Sequence, residues 1–239
     1  MPSNLYLIPN TLGGDRIQSI IPQDVFDLVR PIRFFFVEEI KSARRLLKKM
    51  DREFPIDECA FYKIGKNSKL DSFNTLRLLN EKNISAGVIS EAGCPGVADP
   101  GGELVSISHQ LNIKVIPLVG PSSILLALMA SGFSGQNFSF HGYLPKDRKE
   151  RIRKLKQLEI DTRKYGRTNI FMDAPYRNMH VYEDLLVELN KITMLSIACN
   201  LTMPNSMIKT QSIEMWQKTK HLDLNKKPVL FILGANVND

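Results

Sequence analysis

The 239-residue sequence has few cysteines and no metal-binding pattern. Cys59, Cys94 and Cys199 are odd in number and widely separated, and neither CxxC nor a Cys/His ligand spacing occurs. That excludes a disulfide scaffold and a zinc ribbon, and it points to reduced, mostly buried thiols. His109, His141, His180 and His221 show no paired metal spacing either, so no metal is expected. No GxGxxG follows the first apolar run and there is no GxxxxGK[ST], which argues against a standard dinucleotide fold and a P-loop nucleotidase. Gly132-Phe-Ser-Gly135 is not a nucleophile elbow. Long uninterrupted apolar runs are also absent. The most apolar stretch, Ile113 to Met129, contains Lys114, Pro117, Gly120 and Pro121, so no membrane span is expected. The N-terminal residues lack a basic segment followed by an apolar core, so no secretory signal is expected and a cytoplasmic location is.

Hydrophobic residues make up 43% and charged residues 24%, enough for one large or two small packed domains and too apolar for disorder. The net charge is +7. Residues 146–167 hold ten Lys/Arg against four Asp/Glu, a local sum of +6, while the other 217 residues sum to +1. A localised cationic excess is the footprint of a polyanionic partner.

Short β-type runs alternate with helical runs: Leu5–Pro9, Phe34–Val37, Cys59–Ile64, Ala86–Ile89 and Lys114–Leu118 against Pro22–Arg30, Glu38–Met50, Asp71–Lys82 and Gly102–Leu111. This βα alternation predicts a parallel sheet covered by helices. Gly120-Pro-Ser-Ser123 opens a second unit, giving expected domains 1–119 and 120–239. The helix that follows, Ile124–Ser131, is apolar all round and is expected to be buried on both faces. The later half (strand Phe138–Tyr143, helix Arg148–Leu158, strand Asn169–Met172, helix Met179–Leu189, strands Met194–Asn200, Met207–Ile213 and Val229–Leu233) has adjacent strands without helices between them, so a mixed sheet is expected.

The segment from Gly87 to Gly102 carries the chemistry. Gly93, Gly96, Gly101, Gly102, Pro95 and Pro100 directly follow a strand, and Glu91 and Asp99 lie among them. A loop of this kind presents backbone polar groups to a ligand. Its acids disfavour a phosphate and suit a positive centre, as in S-adenosyl-L-methionine. Read alone, the segment is equally a structural Gly/Pro loop with Asp99 as a helix cap.

The string Ser90-Glu-Ala-Gly-Cys-Pro-Gly-Val-Ala-Asp-Pro-Gly101 resembles the S-D-A-G-T-P-x-I-S-D-P-G signature of the tetrapyrrole-methylase superfamily, and within it the branch of ribosomal RNA cytidine 2′-O-methyltransferases. Val115–Ser123, Ala130–Phe133, Phe138–Lys146 and the opening Leu5–Pro9 with Leu12-Gly13 are similar to further motifs of that branch in the same order. The resemblance implies two α/β domains with the S-adenosyl-L-methionine cleft between them. It implies cofactor contacts from Ser90, Glu91, Ala92, Gly93, Val97, Asp99 and Pro100, and from Ser122 and Ser123 at the start of the second domain. Met172, Asp173, Leu201, Pro228 and Val229 would meet the adenosyl part. Glu38 and Glu39, in the place of the family's E-D-T-R, are candidate catalytic residues.

Departures are Ile40 and Lys41 in that motif, Glu91 for the signature's Asp, Tyr176 for a His, Cys199-Asn200-Leu-Thr-Met203 for R-E-L-T-K, and Lys226-Lys-Pro228 where K-G-E stands. The implied function is 2′-O-methylation of a ribose in structured RNA, with small-subunit ribosomal RNA as partner and a homodimer as the working form. A methyltransferase of a tetrapyrrole or another small molecule, and a non-catalytic RNA-binding relative, are the alternatives.

Methyl transfer from a sulfonium is an in-line displacement, so alignment and exclusion of water dominate; a carboxylate or lysine nearby, with Glu38, Glu39, Glu91 and Asp99 as candidates, would take the hydroxyl proton late, or the loop acts through geometry alone. Between Lys146 and Leu158, Ile152, Leu155 and Leu158 fall on one side of a helix and cations on the rest. Lys146, Arg148, Lys149, Arg151, Arg153 and Lys154, with Arg177, are the expected RNA-phosphate contacts.

Overall fold

The computed structural model describes residues 3–14, 16–65 and 70–235, and the chain divides into two compact units, Met1–Ser122 and Ser123–Asp239. The first unit contains β1 (Asn4–Ile8), α1 (Gln23–Val29), β2 (Phe34–Val37), α2 (Ile40–Met50), β3 (Ala60–Lys63), α3 (Ser72–Glu81), β4 (Ala86–Ile89), α4 (Gly102–Gln110) and β5 (Lys114–Pro117). The strands form a parallel sheet in the order β3-β2-β4-β1-β5.

The run Phe34-Phe-Phe-Val37 is apolar without alternation because both sheet faces are covered. Phe35 and Val37 join Val25 and Phe26 of α1 and Ala43, Leu46 and Leu47 of α2 in one core. Phe36 joins Leu76 and Leu79 of α3 and Leu104 and Ile107 of α4 in the other. Asp71 caps α3 by accepting from the Asn74 amide at 3.0 Å, and Glu39 caps α2.

The second unit contains α5 (Ser123–Ser131), β6 (Phe138–Tyr143), α6 (Arg148–Tyr165), β7 (Thr168–Met172), α7 (Asn178–Glu188), β8 (Met194–Cys199), β9 (Met207–Ser212), α8 (Ile213–Gln217) and β10 (Val229–Leu233). Its sheet is mixed, in the order β6-β7-β10-β8-β9. Strands β6 and β7 are parallel and the remaining pairs antiparallel. Leu155 and Leu158 of α6, Phe171, Leu185, Phe231 and Trp216 fill its core.

Two expectations need correction here, and one element is new. Helix α5 is buried on one face only: Ala127 and Leu128 are buried, whereas Leu125 is 52% and Met129 80% exposed. A helix laid on one side of a sheet has only one face to bury, whatever its composition. Helix α6 runs seven residues past Leu158 and stops at Gly166, which takes the left-handed conformation at φ 60°. Two buried polar residues in that stretch hide its periodicity. The Glu159 carboxylate accepts from the Asn190 amide at 2.8 Å and from the Thr193 hydroxyl, and the Thr162 hydroxyl is bonded by the Asn169 carboxamide at 3.0 Å. Helix α8 was not foreseen, because five residues carry too little periodic signal. Ser212 starts it by accepting from the Met215 amide at 3.3 Å.

Candidate active site

In the first unit the connection leaving β2 runs outward to β3, while that leaving β4 runs the opposite way, past β1 to β5. Their helices pack on opposite faces, α2 with Phe35 and α4 with Phe36. Neighbouring strands whose connections diverge leave a crevice at their carboxyl ends, the usual ligand position in an open parallel sheet. Glu38 and Glu39 follow β2 at this point, and Ser90 to Gly101 follow β4.

The loop is held from beneath. Asn10, directly after β1, donates its side-chain amide to the carbonyls of Ser90 at 3.0 Å and Glu91 at 2.9 Å, and its backbone N–H to Gly93 at 2.8 Å. Ser90 is buried and its hydroxyl donates to the Ala92 carbonyl at 3.2 Å. Gly93, Gly96, Ala98 and Gly101 all have positive φ, at 67°, 80°, 62° and 135°. Only a glycine is at ease at the last of these, and a Cβ there would stand 3.2 Å from the Gly96 nitrogen. A cleft of about 670 Å³ opens beside the loop, bounded by Ile64 and Gly65 after β3, Ser72 at the head of α3, and Asp99 to Gly101.

The structure brings three of the expected acids together. Glu38 accepts from the Glu91 backbone amide at 3.1 Å, and the Ser42 hydroxyl of α2 donates to the Glu91 carboxylate. Asp99 is half-buried. Desolvation pushes its carboxyl up to about 6, the charges of Glu38 and Glu91 add to the rise, and a hydrogen bond with Ser90 opposes it. Glu39 points elsewhere. Its carboxylate holds the Lys63 ammonium at 3.0 Å and caps α2, and these bonds hold it below the ordinary range. In this arrangement it caps a helix and faces Lys63, away from the other three acids. Asn10 and Ser42 were missed by the sequence reading. Neither residue type is diagnostic, and their partners lie 80 and 49 residues away.

In the second unit the expected adenosyl contacts meet at one end of the three central strands. Leu230 of β10 pairs with Met172 of β7, and Val229 with Cys199 of β8. Register therefore sets Met172, Asp173, Pro228, Val229 and Leu201 side by side. The Asn200 amide donates to the Pro228 carbonyl at 3.0 Å and fixes the turn that carries Leu201. Asp173 is buried at this end of the sheet. One carboxylate oxygen accepts from the Arg177 guanidinium and from the Ala174 amide, and the other has no protein partner. A buried acceptor left open fits a hydroxyl or amino group of a ligand. Arg177, expected at RNA phosphate, is turned inward to Asp173 and only 13% exposed, and this corrects that expectation. Ser122 closes the first unit and Ser123 opens α5.

The cations of α6 fall into two sets. Arg151 is buried, with Nη2 at 2.8 Å and Nε at 2.9 Å from Asp184 of α7 and Nη1 donating to the Lys146 carbonyl at 3.2 Å. It belongs to the core stripe with Leu155 and Leu158, so it cannot meet a phosphate, contrary to expectation. Arg148 shares the other Asp184 oxygen at 2.9 Å but remains 64% exposed. Lys149 and Arg153 face solvent, and Arg153 and Lys154 line a hollow of about 350 Å³ with Pro145, Glu150 and Gln157. Among the described residues no group of three or more His, Cys, Asp or Glu is placed to hold a metal, and no helix is long and apolar enough to cross a membrane.

No protein-family model matches the chain. Among characterised proteins it is similar to ribosomal RNA small subunit methyltransferase I of Vibrio cholerae, 33% identical over 203 residues that cover 83% of this chain and 65% of the relative. It is 28% identical over 233 residues to the protein of the same name from Buchnera aphidicola subsp. Acyrthosiphon pisum, covering 96% and 78%. It is 29% identical over 199 residues to that of Escherichia coli O157:H7, covering 83% and 65%. The chain thus spans just under two thirds of the length of the first and third. In fold it is similar to the methyltransferase CobJ, with a TM-score of 0.61, 16% identity and coverage of 98% and 95%. It is also similar to CbiF, a cobalt precorrin-4 methyltransferase of cobalamin biosynthesis, with a TM-score of 0.60, 14% identity and coverage of 97% and 94%.

Proposed function

We propose that this chain, which is similar to ribosomal RNA small subunit methyltransferase I proteins and shares the fold of the methyltransferases CobJ and CbiF, methylates a ribose 2′-hydroxyl of small-subunit ribosomal RNA with S-adenosyl-L-methionine as donor. The observation that carries this reading is the crevice of the first unit, where Glu38, Glu91 and Asp99 converge on a loop of glycines in positive-φ conformations. Three acids without a phosphate-binding glycine motif suit a cationic, phosphate-free ligand. When bound, the donor supplies a methyl group on a sulfonium centre. Asn10 and Ser90 hold the loop carbonyls in place, so orientation is set before the ligand arrives. Glu38 and Asp99 are the carboxylates available to take the hydroxyl proton, and Asp99, titrating near 6, is suited to exchange one near neutrality. In the second unit, Met172, Asp173, Leu201, Pro228 and Val229 are proposed for the adenosyl part. Lys146, Lys149, Arg153 and Lys154, with Arg148 at their edge, are proposed for the RNA backbone. The same premise makes a cytoplasmic homodimer the expected working form.

The test is calorimetric titration with S-adenosyl-L-methionine, followed by transfer of labelled methyl to small-subunit ribosomal RNA from a strain lacking the protein. Binding and label in the RNA are expected. No binding at millimolar donor would sink the methyltransferase reading, and label only in small molecules would sink the RNA assignment.

The donor titration should also depend on pH. A bound cation favours ionised Asp99, so affinity should rise by up to about tenfold between about pH 5 and about pH 7. Asp99→Asn should flatten that rise. A wild-type profile that is already flat would remove Asp99 from the donor site. For folding alone the sign is opposite. The folded chain holds this proton more tightly than the unfolded chain, so Asp99 withdraws stability as pH climbs from about 4 to about 6.

A further inference from the structure

Helix α2 carries Lys41, Arg44, Arg45, Lys48 and Lys49, with Arg52 just beyond its end, and every one of these side chains is exposed. Residues 41–52 hold six cations and one acid, a local sum of +5. The whole-chain balance conceals this, because acids elsewhere cancel it.

Helix stability does not explain the pattern. Lys48 and Lys49 in the last turn complement the helix dipole, but Lys41 and Arg44 lie near the amino end, where the dipole disfavours cations. Little of this charge is neutralised by neighbouring acids, although the Lys48 ammonium donates to the Arg52 carbonyl at 2.9 Å. The one acid of the segment, Asp51, is held by Arg30 at 3.2 Å. Arg44 meets Asp57 at 3.4 Å, but that carboxylate is 99% exposed, and so open a pair is readily exchanged. Glu58, next to it, is taken by Arg33 at 3.3 Å. Among the described residues no acid lies within ion-pair distance of Lys41, Arg45 or Arg52. Lys41, Arg44, Arg45 and Lys48 line a shallow hollow of about 370 Å³ floored by Ile56 and edged by Asp57. Lys41, Arg45 and Lys48 follow one another at helical spacing along about 10 Å, and Arg52 lies just beyond the helix end. The ridge starts beside the crevice, because Ser42 of the same helix holds Glu91.

We propose that this outward face of α2 is a second docking surface for the sugar–phosphate backbone of RNA, an inference that rests on the RNA reading above and adds a contact in the first unit. Adjustable cations along a ridge, with no aromatic platform among them, meet phosphates irrespective of base. Each phosphate neutralised adds about 0.7 to 0.9 to the slope of log affinity against log salt.

The experiment measures binding of an unmodified small-subunit ribosomal RNA transcript to the full chain over a salt series. Its variants are Arg45→Gln, Lys48→Gln and Arg52→Gln together, and Lys149→Gln, Arg153→Gln and Lys154→Gln together. All six side chains reach solvent, and an unchanged melting curve verifies folding. The α2 variant should bind about tenfold more weakly at ~0.1 M salt, with a slope shallower by about 2. An α2 variant equal to wild type, beside an α6 variant that loses affinity, overturns this surface and leaves the RNA reading intact. A wild-type chain that does not bind the transcript overturns both. Loss of binding to phosphatidylglycerol vesicles with RNA affinity unchanged assigns the ridge to a membrane and overturns the proposal.

Discussion

Replacing Asp184 by alanine is expected to destabilise the second unit by ~3–5 kcal/mol, the cost of removing one partner of a buried ion pair. Asp184 is 4% exposed and receives two guanidinium groups, Arg151 at 2.8 Å and Arg148 at 2.9 Å. Arg148 can turn to water when the carboxylate is lost. Arg151, only 7% exposed, cannot, and is left as an uncompensated charge against Leu155 and Leu158. The chain contains one tryptophan, Trp216, which is buried in the same core and donates to the Leu195 carbonyl at 2.9 Å. Its fluorescence in a urea titration therefore reports this unit. Replacing both partners with apolar residues, Asp184→Leu with Arg151→Met, should recover most of the loss, because no unpaired charge remains. A single-variant effect below about 1 kcal/mol would show that Arg151 finds water.

Gly101→Ala is expected to weaken donor binding by about fivefold to about 100-fold, the size of effect that ~1–3 kcal/mol of backbone strain produces. Gly101 opens α4 at φ 135° and ψ −26°, and a Cβ there would press on the Gly96 nitrogen and, at 3.3 Å, on Val88 Cγ1. Gly96 cannot yield without losing its hydrogen bond to the Pro100 carbonyl at 3.2 Å. The strain must move the segment from Gly96 to Gly101, which carries Asp99. The Trp216 transition should stay where it is, since the substituted loop belongs to the other unit. Donor affinity equal to wild type would dissociate this loop from the donor site.

The parallel sheet was legible in the sequence because its strands are buried on both faces and read as unbroken apolar runs, as at Phe34–Val37 and Ala86–Ile89. The mixed character of the second sheet followed from strands with no intervening helix. The loop from Ser90 to Gly101 stood out through its glycines. What stayed illegible depended on partners distant in sequence. Asn10 matters through carbonyls 80 residues away. Arg151 was counted with the surface cations because helical spacing favoured Ile152 for the buried stripe, and Asp184, 33 residues later, decides otherwise. Glu38 and Glu39 are adjacent acids with separate fates. One faces the crevice, and the other turns to Lys63 and the head of α2. The α2 ridge escaped notice for a different reason, since a net charge adds cations and acids that never meet in space.

The position of β10 in its sheet has a consequence for synthesis. This strand lies between β7 and β8, and both pair with it along their length. Until Leu233 has left the ribosome, β7 and β8 have open edges facing a gap and cannot join, while the first unit already holds all five of its strands once Pro117 has emerged. The two halves therefore mature in sequence during translation, and a nascent chain paused before Val229 presents exposed β edges, a target for chaperones and a risk for self-association.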